Sequence, residues 1–206
     1  MRELNACPLP FIMKNINSMK KYQIIYADPP WVYWCGGKKN ASKHYICMKD
    51  KDIYKLPVKN LADKNCALFL WATFPKLPEA LKTLKEWGFK YSTVVFVWIK
   101  SKKRTEINQS SFFPEDNIDT FFGLGYWTRA NAEIVLLGTI GKPKRIMKNI
   151  KQIIYEPIRK HSQKPDVVRD RIIQLLGDLP RIELFARQKT EKWDAWGNEI
   201  ESDIEL

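Results

Sequence analysis

The chain has 206 residues, 45% of them hydrophobic and 13% aromatic, which suffices for the core of one domain and excludes a disordered or fibrous protein. No apolar run reaches 18 residues and no secretory signal is recognisable, so we expect a protein of the cytoplasm without a membrane partner. The four cysteines have no CxxC spacing and no regular spacing with the two histidines, which predicts reduced thiols and no metal site. The net charge of +12 favours an anionic partner such as nucleic acid, although an anionic membrane surface or simple solubility would also fit.

Strand-like and helix-like segments alternate along the chain. Strands are predicted at about 22–27, 66–72, 91–100 (buried on both faces), 132–141 and 181–187, and helices near 49–56, 75–88 (closed by Gly88) and 164–178 (with Pro165 in its first turn). This alternation predicts an α/β domain with a largely parallel sheet. We find no linker or repeat, so residues 1–206 are predicted to form one domain with an extension over 1–20.

The tetrapeptide Asp28-Pro29-Pro30-Trp31 directly follows the first predicted strand. A plain turn is one interpretation, but ligands of open α/β sheets bind outside the carboxyl ends of the strands, where this tetrapeptide lies. The carboxylate can only accept hydrogen bonds, the stiffened Pro29 carbonyl is a second acceptor, and an indole can stack on an unpaired base. Together they predict a site that holds an exocyclic base amine and directs it at an electrophilic methyl group.

The tetrapeptide resembles that of the DPPW-type adenine-N6 methyltransferases, the family named for the catalytic subunit of the eukaryotic messenger-RNA adenosine methyltransferase. Further segments resemble its motifs in the same order, from about residue 22 to 200: HYICMKDKDIYKLPV, CALFLWAT, GYWTRANAEIVLLGTIGKP, HSQKPDVVRDRI, RIELFAR and WDAWGNEI. The resemblance implies S-adenosylmethionine as cofactor and a Rossmann-like methyltransferase fold. It further implies a mixed, mostly parallel sheet with helices on both faces, and a permuted (beta-class) order in which the catalytic motif comes first. Small members are phage or bacterial, so a phage-encoded protein would act in the host-cell cytoplasm.

The resemblance also implies residues for the cofactor. Asp28 belongs to both the catalytic and the cofactor set, and Lys164 is similar to the lysine that meets the methionine carboxylate. Arg187 and Asn198 match residues near the ribose hydroxyls, with Glu199 beside them near the adenosine. As plain alternatives, these side chains would be a solvated lysine, a surface salt bridge and a turn. The chain departs from the family upstream of the first strand, where no acidic residue stands to receive the adenine amine.

Basic and aromatic residues are interleaved in segments that we predict to flank strand ends on the side of the tetrapeptide. Basic grooves with aromatic platforms suit unpaired or flipped bases, although a run of charges is usually only a solvated surface. Segment 101–127 is our predicted target-recognition loop, and by resemblance the tyrosine at position 45 closes over the base. The predicted substrate-binding residues are Tyr45, Lys102, Lys103, Arg104, Trp127, Lys144 and Arg145. The role of Glu133 is left open.

The sequence therefore predicts S-adenosylmethionine-dependent methylation of adenine N6 in DNA. DNA is favoured because the chain is almost wholly catalytic domain, without the accessory modules of eukaryotic RNA-modifying relatives; RNA is the alternative substrate. A catalytically silent nucleic-acid-binding subunit is the alternative from another functional class, and cytosine-N4 methylation is chemically close. The recognition sequence, the strand preference and the presence of a homo- or heterodimeric partner are left open.

Overall fold

The structure, a computed structural model, describes residues 20–32, 47–102, 120–123, 125, 127–159 and 163–206. Tyr45, Lys103 and Arg104 lie outside the described residues, as do nearly all of the predicted N-terminal extension and most of segment 101–127. The domain boundaries given above therefore stay predictions.

Seven strands and three α-helices occur in the described part of the chain. The strands are β1 (Tyr22–Ala27), β2 (Ala62–Ala72), β3 (Lys90–Ser101), β4 (Ala132–Ile140), β5 (Ile153–Pro157), β6 (Arg181–Leu184) and β7 (Asp194–Trp196). The helices are α1 (Asp50–Lys55), α2 (Leu77–Glu86) and α3 (Val167–Leu176), with short 3-10 turns at Val58–Leu61 and Phe74–Lys76. Gly88 ends the α2 region with φ +79°, the left-handed conformation that its position in the sequence predicted.

The strands form one sheet in the order β5-β3-β4-β2-β1-β6-β7. β1 pairs in parallel with β2 and β6, and the β3–β5 and β6–β7 pairs are also parallel. β4 runs antiparallel to both of its neighbours, β2 and β3. The expected mixed, mostly parallel sheet is thus confirmed, with β4 as the reversed strand.

The core occupies both faces of the sheet because successive side chains of a strand point to opposite faces. Ile25 of β1 belongs to the cluster that contains Leu84 of α2, whereas Ile24 belongs to the cluster that contains Val168 and Ile172 of α3. All five side chains are fully buried or nearly so. Helices therefore cover both faces, as expected, and β1 is apolar at every position except Gln23 because both of its faces are buried.

Several element boundaries differ from the sequence-based expectation. β3 is exposed over its first four residues, so the expectation that it is buried on both faces is wrong there. α3 begins at Val167, after Pro165 rather than around it. β6 ends at Leu184 because Phe185 takes a φ of +62°, which cannot continue a strand. β5 and β7 were not predicted, since they are five and three residues long and show too little periodicity.

Within the described ranges, no helix is long and apolar enough to cross a membrane. The same part of the chain contains no group of three or more His, Cys, Asp or Glu side chains placed to hold a metal ion.

Candidate active site

A cavity of about 790 Å³ opens at the edge of the sheet where β1, β2 and β6 end and β4 begins. The parallel strands bring residues that are far apart in sequence to this one edge. The residues singled out for catalysis and cofactor binding all line it: Asp28, Pro29, Pro30, Trp31, Lys164, Arg187, Asn198 and Glu199.

The tetrapeptide forms a tight, hydrogen-bonded turn at the end of β1. The Trp31 N–H donates to the Pro29 carbonyl (2.9 Å), and the Met48 N–H donates to the Pro30 carbonyl (2.9 Å). The Trp31 indole N–H donates to the Trp71 carbonyl of β2 (3.3 Å), and only 3% of the residue is exposed. The ring is an almost fully buried wall of the cavity that it lines, next to a local bridge to Met48. Its stacking on a base stays a prediction.

Four charged side chains form a continuous chain across the cavity. The Lys164 ammonium lies 3.0 Å from an Asp28 carboxylate oxygen and 3.2 Å from a Glu133 carboxylate oxygen. The other oxygen of Glu133 accepts a hydrogen bond from the Lys100 ammonium at 2.6 Å. Two positive and two negative groups alternate, so the cluster is electrically balanced.

Two tryptophans line the cavity beneath these lysines. The Lys164 ammonium is 5.3 Å from the centroid of the Trp71 ring, and the Lys100 ammonium is 5.2 Å from that of Trp98. The two indoles meet edge to face at 6.1 Å, and the Trp71 N–H donates to the Tyr26 hydroxyl at 2.6 Å. Sequence reasoning missed both tryptophans as site residues. Their only signal was their position near the ends of two apolar strands.

Burial and the neighbouring charges shift the pKa values of this cluster in different directions. Burial raises the pKa of the Asp28 carboxyl; Lys164 opposes the shift and Glu133 adds to it. For Glu133, burial alone would raise the pKa, but Lys164 and Lys100 together bring it below its ordinary value. Burial disfavours the charged form of Lys164, yet its two carboxylate partners raise its pKa. The pKa of Asp28 is thus raised and that of Glu133 lowered, while Lys164 is held in its charged form.

The far end of the cavity is built by the chain that leaves β6 and β7. The Arg187 guanidinium contacts the Glu199 carboxylate at 2.9 Å, and both side chains are partly exposed. Gly197 approaches the backbone of Ala186 so closely that a Cβ atom there would lie 2.1 Å from the Ala186 carbonyl oxygen. This position needs glycine for space, and the close approach sets where Asn198 stands.

A buried ion pair supports the floor of the site from the α3 side. Arg169 of α3 donates two hydrogen bonds to the Glu183 carboxylate of β6, each at 2.8 Å, and its guanidinium lies 5.4 Å from the Tyr26 ring centroid. Such a bidentate ion pair fixes α3 against β6 and β1. The sequence did not reveal this pair.

The predicted substrate-binding residues are not all near the cavity. Lys144 and Arg145 follow β4, whose last residue, Ile140, pairs with Cys66 at the start of the long apolar part of β2. They therefore lie toward the end of the sheet where β1 and β2 begin, away from Asp28. The expectation that they flank the tetrapeptide is wrong, because it assumed that β4 runs parallel to β1. Lys102 follows β3 on the cavity side, and Trp127 is 93% exposed; neither lines the cavity.

The sequence profile of the MT-A70 family matches residues 22–199. The chain belongs to the MT-A70 family. It is 33% identical to the type II methyltransferase M.MunI of Mycoplasma sp, over 88% of this chain and 78% of that protein. It is 24% identical to the human N(6)-adenosine-methyltransferase catalytic subunit METTL3 and 26% identical to the human N(6)-adenine-specific methyltransferase METTL4. The matched regions cover 95% and 90% of this chain, but only 31% and 39% of those two proteins.

Family membership makes the protein an S-adenosylmethionine-dependent adenine-N6 methyltransferase with a Rossmann-like fold. The cavity fits this cofactor chemically. It presents an ammonium at Lys164 and a carboxylate at Asp28, which complement the two charged groups of an amino acid. At its other end, Arg187, Asn198 and Glu199 offer donors and acceptors for ribose hydroxyls.

Proposed function

We propose that the protein methylates the N6 amine of adenine in DNA, with Asp28 as the residue that holds the reacting amine. The observation that carries the proposal is the position of the Asp28 carboxylate. It follows β1 directly, lines the cavity and shares that cavity with every residue assigned to the cofactor. Acceptor and cofactor groups must meet in this way for a direct transfer between two bound molecules.

The proposed catalytic task of Asp28 is to accept a hydrogen bond from the amine and orient its lone pair. Burial raises the pKa of this carboxyl, so the carboxylate is a better proton acceptor than an exposed aspartate. The turn around it is fixed by the hydrogen bonds of Trp31 and Met48 to the proline carbonyls. The Pro29 carbonyl keeps one lone pair beyond its bond to Trp31, and we assign it as the second acceptor for the amine. The cofactor supplies the electrophilic methyl group.

Lys164 is proposed to hold the carboxylate end of the cofactor while it remains next to Asp28. Its ammonium has three N–H donors, of which Asp28 and Glu133 account for two. Glu133, fixed in turn by Lys100, keeps Lys164 charged and in position. This arrangement assigns Glu133 a positioning role. The opposite end of the cofactor is assigned to Arg187, Asn198 and Glu199.

DNA is proposed over RNA because the relative with 33% identity is named a type II methyltransferase, a class name that favours DNA. The relatives named as adenosine methyltransferases are 24–26% identical and are matched over less than a third of their length. A net charge of +12 suits either nucleic acid. A catalytically silent subunit is disfavoured, because Asp28 and Lys164 are both present and in contact.

The test is methyl transfer from tritiated S-adenosylmethionine to sequence-matched DNA and RNA, each single- and double-stranded. The labelled product is digested to nucleosides and identified by mass spectrometry. We expect N6-methyladenine in DNA, and its loss in Asp28→Asn, which keeps the shape of the side chain but removes its charge. Cofactor binding by Asp28→Asn, measured by calorimetry, should be weakened but not abolished, because Lys164, Arg187, Asn198 and Glu199 remain in the cavity. A variant that binds the cofactor without turnover separates loss of catalysis from loss of fold.

Product in RNA alone would refute the DNA assignment, and N4-methylcytosine would refute the assignment of the base. Full turnover by Asp28→Asn would refute the role of the carboxylate. Analytical ultracentrifugation of the purified protein tests the oligomeric state, which the sequence left open between a monomer and a homo- or heterodimer.

A further inference from the structure

We propose that Phe122 and Trp127 stack on unpaired nucleotides of the DNA strand that carries the target adenine. Both belong to the described residues 120–123, 125 and 127–131, here called the aromatic hairpin. The proposal rests on the proposed function and adds to it a surface outside the cavity. It commits to one occupant, a single-stranded stretch of DNA beside the methylated base.

The hairpin is fastened to the active site at both of its ends. The Phe121 N–H donates to the Lys100 carbonyl (2.7 Å), and the Lys100 N–H donates to the Asn131 carbonyl (2.8 Å). Ser101 and Thr120 add an antiparallel bridge. Lys100 of β3 is also the residue whose ammonium donates to Glu133, so its backbone and side chain join the base of the hairpin to the charged cluster.

Two glycines bring the arms of the hairpin close together. A Cβ atom at Gly123 would lie 1.8 Å from the Ala130 carbonyl oxygen, and one at Gly125 would lie 1.7 Å from the Thr128 carbonyl oxygen. A backbone contact this close leaves no room for a side chain between the arms.

The aromatic side chains of the hairpin divide between cavity and solvent. Phe121 lines the cavity, while the next residue, Phe122, is 69% exposed and Trp127 is 93% exposed. These are the two most exposed large hydrophobic side chains among the described residues. Large, mostly exposed aromatic rings beside a binding site indicate a surface that a ligand covers.

The positive charge beside the rings indicates that the ligand of this surface is a nucleic acid. The Arg129 guanidinium lies 4.8 Å from the Phe122 ring centroid, so a positive charge and a stacking surface stand together. Aromatic rings paired with basic side chains are the usual means of binding single-stranded nucleic acid, because every base has a flat face and every nucleotide carries a phosphate. A target adenine must leave its helix to reach a cavity of this kind, which exposes neighbouring bases to stacking.

The test measures binding of a fluorescein-labelled oligodeoxythymidine strand by anisotropy, for the wild type and for Phe122→Ala and Trp127→Ala. We expect each variant to bind about tenfold more weakly, the effect of one lost base stack. The dependence of affinity on salt should stay unchanged, because no charge is removed. Tyr91→Ala is the matched control, because this exposed aromatic residue lies at the start of β3, at the end of the strand away from the cavity. This variant should bind the strand as the wild type does.

A second strand with abasic residues in place of thymidines isolates stacking from any change in fold. On that strand the variants and the wild type should bind equally well, since no base is left to stack. Equal loss on both strands would overturn the proposal, as would wild-type binding by both variants. A defect confined to the same strand made of RNA would overturn the assignment to DNA. If the wild type methylates DNA while both variants bind the strand normally, this inference fails and the proposed function survives. If no strand is methylated but both variants show the binding defect, the proposed function fails and this inference survives.

Discussion

Replacing Lys164 with methionine removes the positive charge between two buried carboxylates. The Lys164 side chain is 11% exposed, and it contacts Asp28 at 3.0 Å and Glu133 at 3.2 Å. Methionine fills a similar volume, so the main change is electrostatic. Removing one partner of a buried ion pair typically costs about 3–5 kcal/mol, because a charge is left buried without compensation. For a chain of this size we expect the melting temperature to fall by about 6–20 °C.

The loss of stability should depend on pH. Without Lys164, the pKa values of Asp28 and Glu133 both rise, because each loses an adjacent positive charge. At pH 8 the variant must keep both carboxylates ionised or take up protons, whereas at pH 5 protonation is easier and relieves their repulsion. Urea unfolding of wild type and Lys164→Met at the two pH values measures this. The difference in the free energy of unfolding should be larger at pH 8.

Lys76 offers a matched control. It too is a buried lysine between two carboxylates, at 3.0 Å from Asp50 and 3.6 Å from Glu79, but it does not line the cavity. Lys76→Met should also destabilise the fold, and it should leave the affinity for S-adenosylmethionine measured by calorimetry unchanged. Lys164→Met should lose that affinity. Equal cofactor affinity in the two variants, or a stability loss in Lys164→Met that is the same at both pH values, would refute the reasoning.

Three further changes test other parts of the structure. Glu133→Gln should lower the free energy of unfolding by about 1–3 kcal/mol at pH 7. Because the folded-state pKa of Glu133 lies below its ordinary 4.5, this difference in free energy should shrink as the pH falls below 4.5. A difference that stays constant with pH would contradict this. Gly197→Ala places a methyl group 2.1 Å from the Ala186 carbonyl oxygen. It should therefore lower the free energy of unfolding by about 1–3 kcal/mol and weaken cofactor binding in calorimetry. Stability and binding equal to those of the wild type would show that the close approach is not needed. Lys144→Ala with Arg145→Ala should leave DNA binding and methylation near wild type, since both residues lie toward the far edge of the sheet; a clear loss would place nucleic acid there.

Local residue patterns were enough to predict much of this protein. The apolar run of β1, the Asp-Pro-Pro-Trp turn after it and the alternation of strands and helices all follow from short-range periodicity and turn chemistry. The ordered motifs added Lys164, Arg187, Asn198 and Glu199, and the structure places all of them in one cavity. The strand, turn and alternation are readable because each depends on residues close together in the sequence, whereas the four cofactor residues followed from the resemblance to a known family.

The tertiary structure alone decided the features that depend on how distant segments pair. The direction of β4 is not encoded in its own apolar pattern; it follows from its pairing with β2 and β3. That direction brings Glu133 to Lys164 and sends Lys144 toward the opposite edge of the sheet. Trp31 is likewise buried among distant segments: its backbone forms a bridge with Met48, and its indole N–H donates to the Trp71 carbonyl. Periodicity shows which face of a strand is buried, but strand order and direction are set by contacts between segments far apart in the chain, so only the folded structure reveals them.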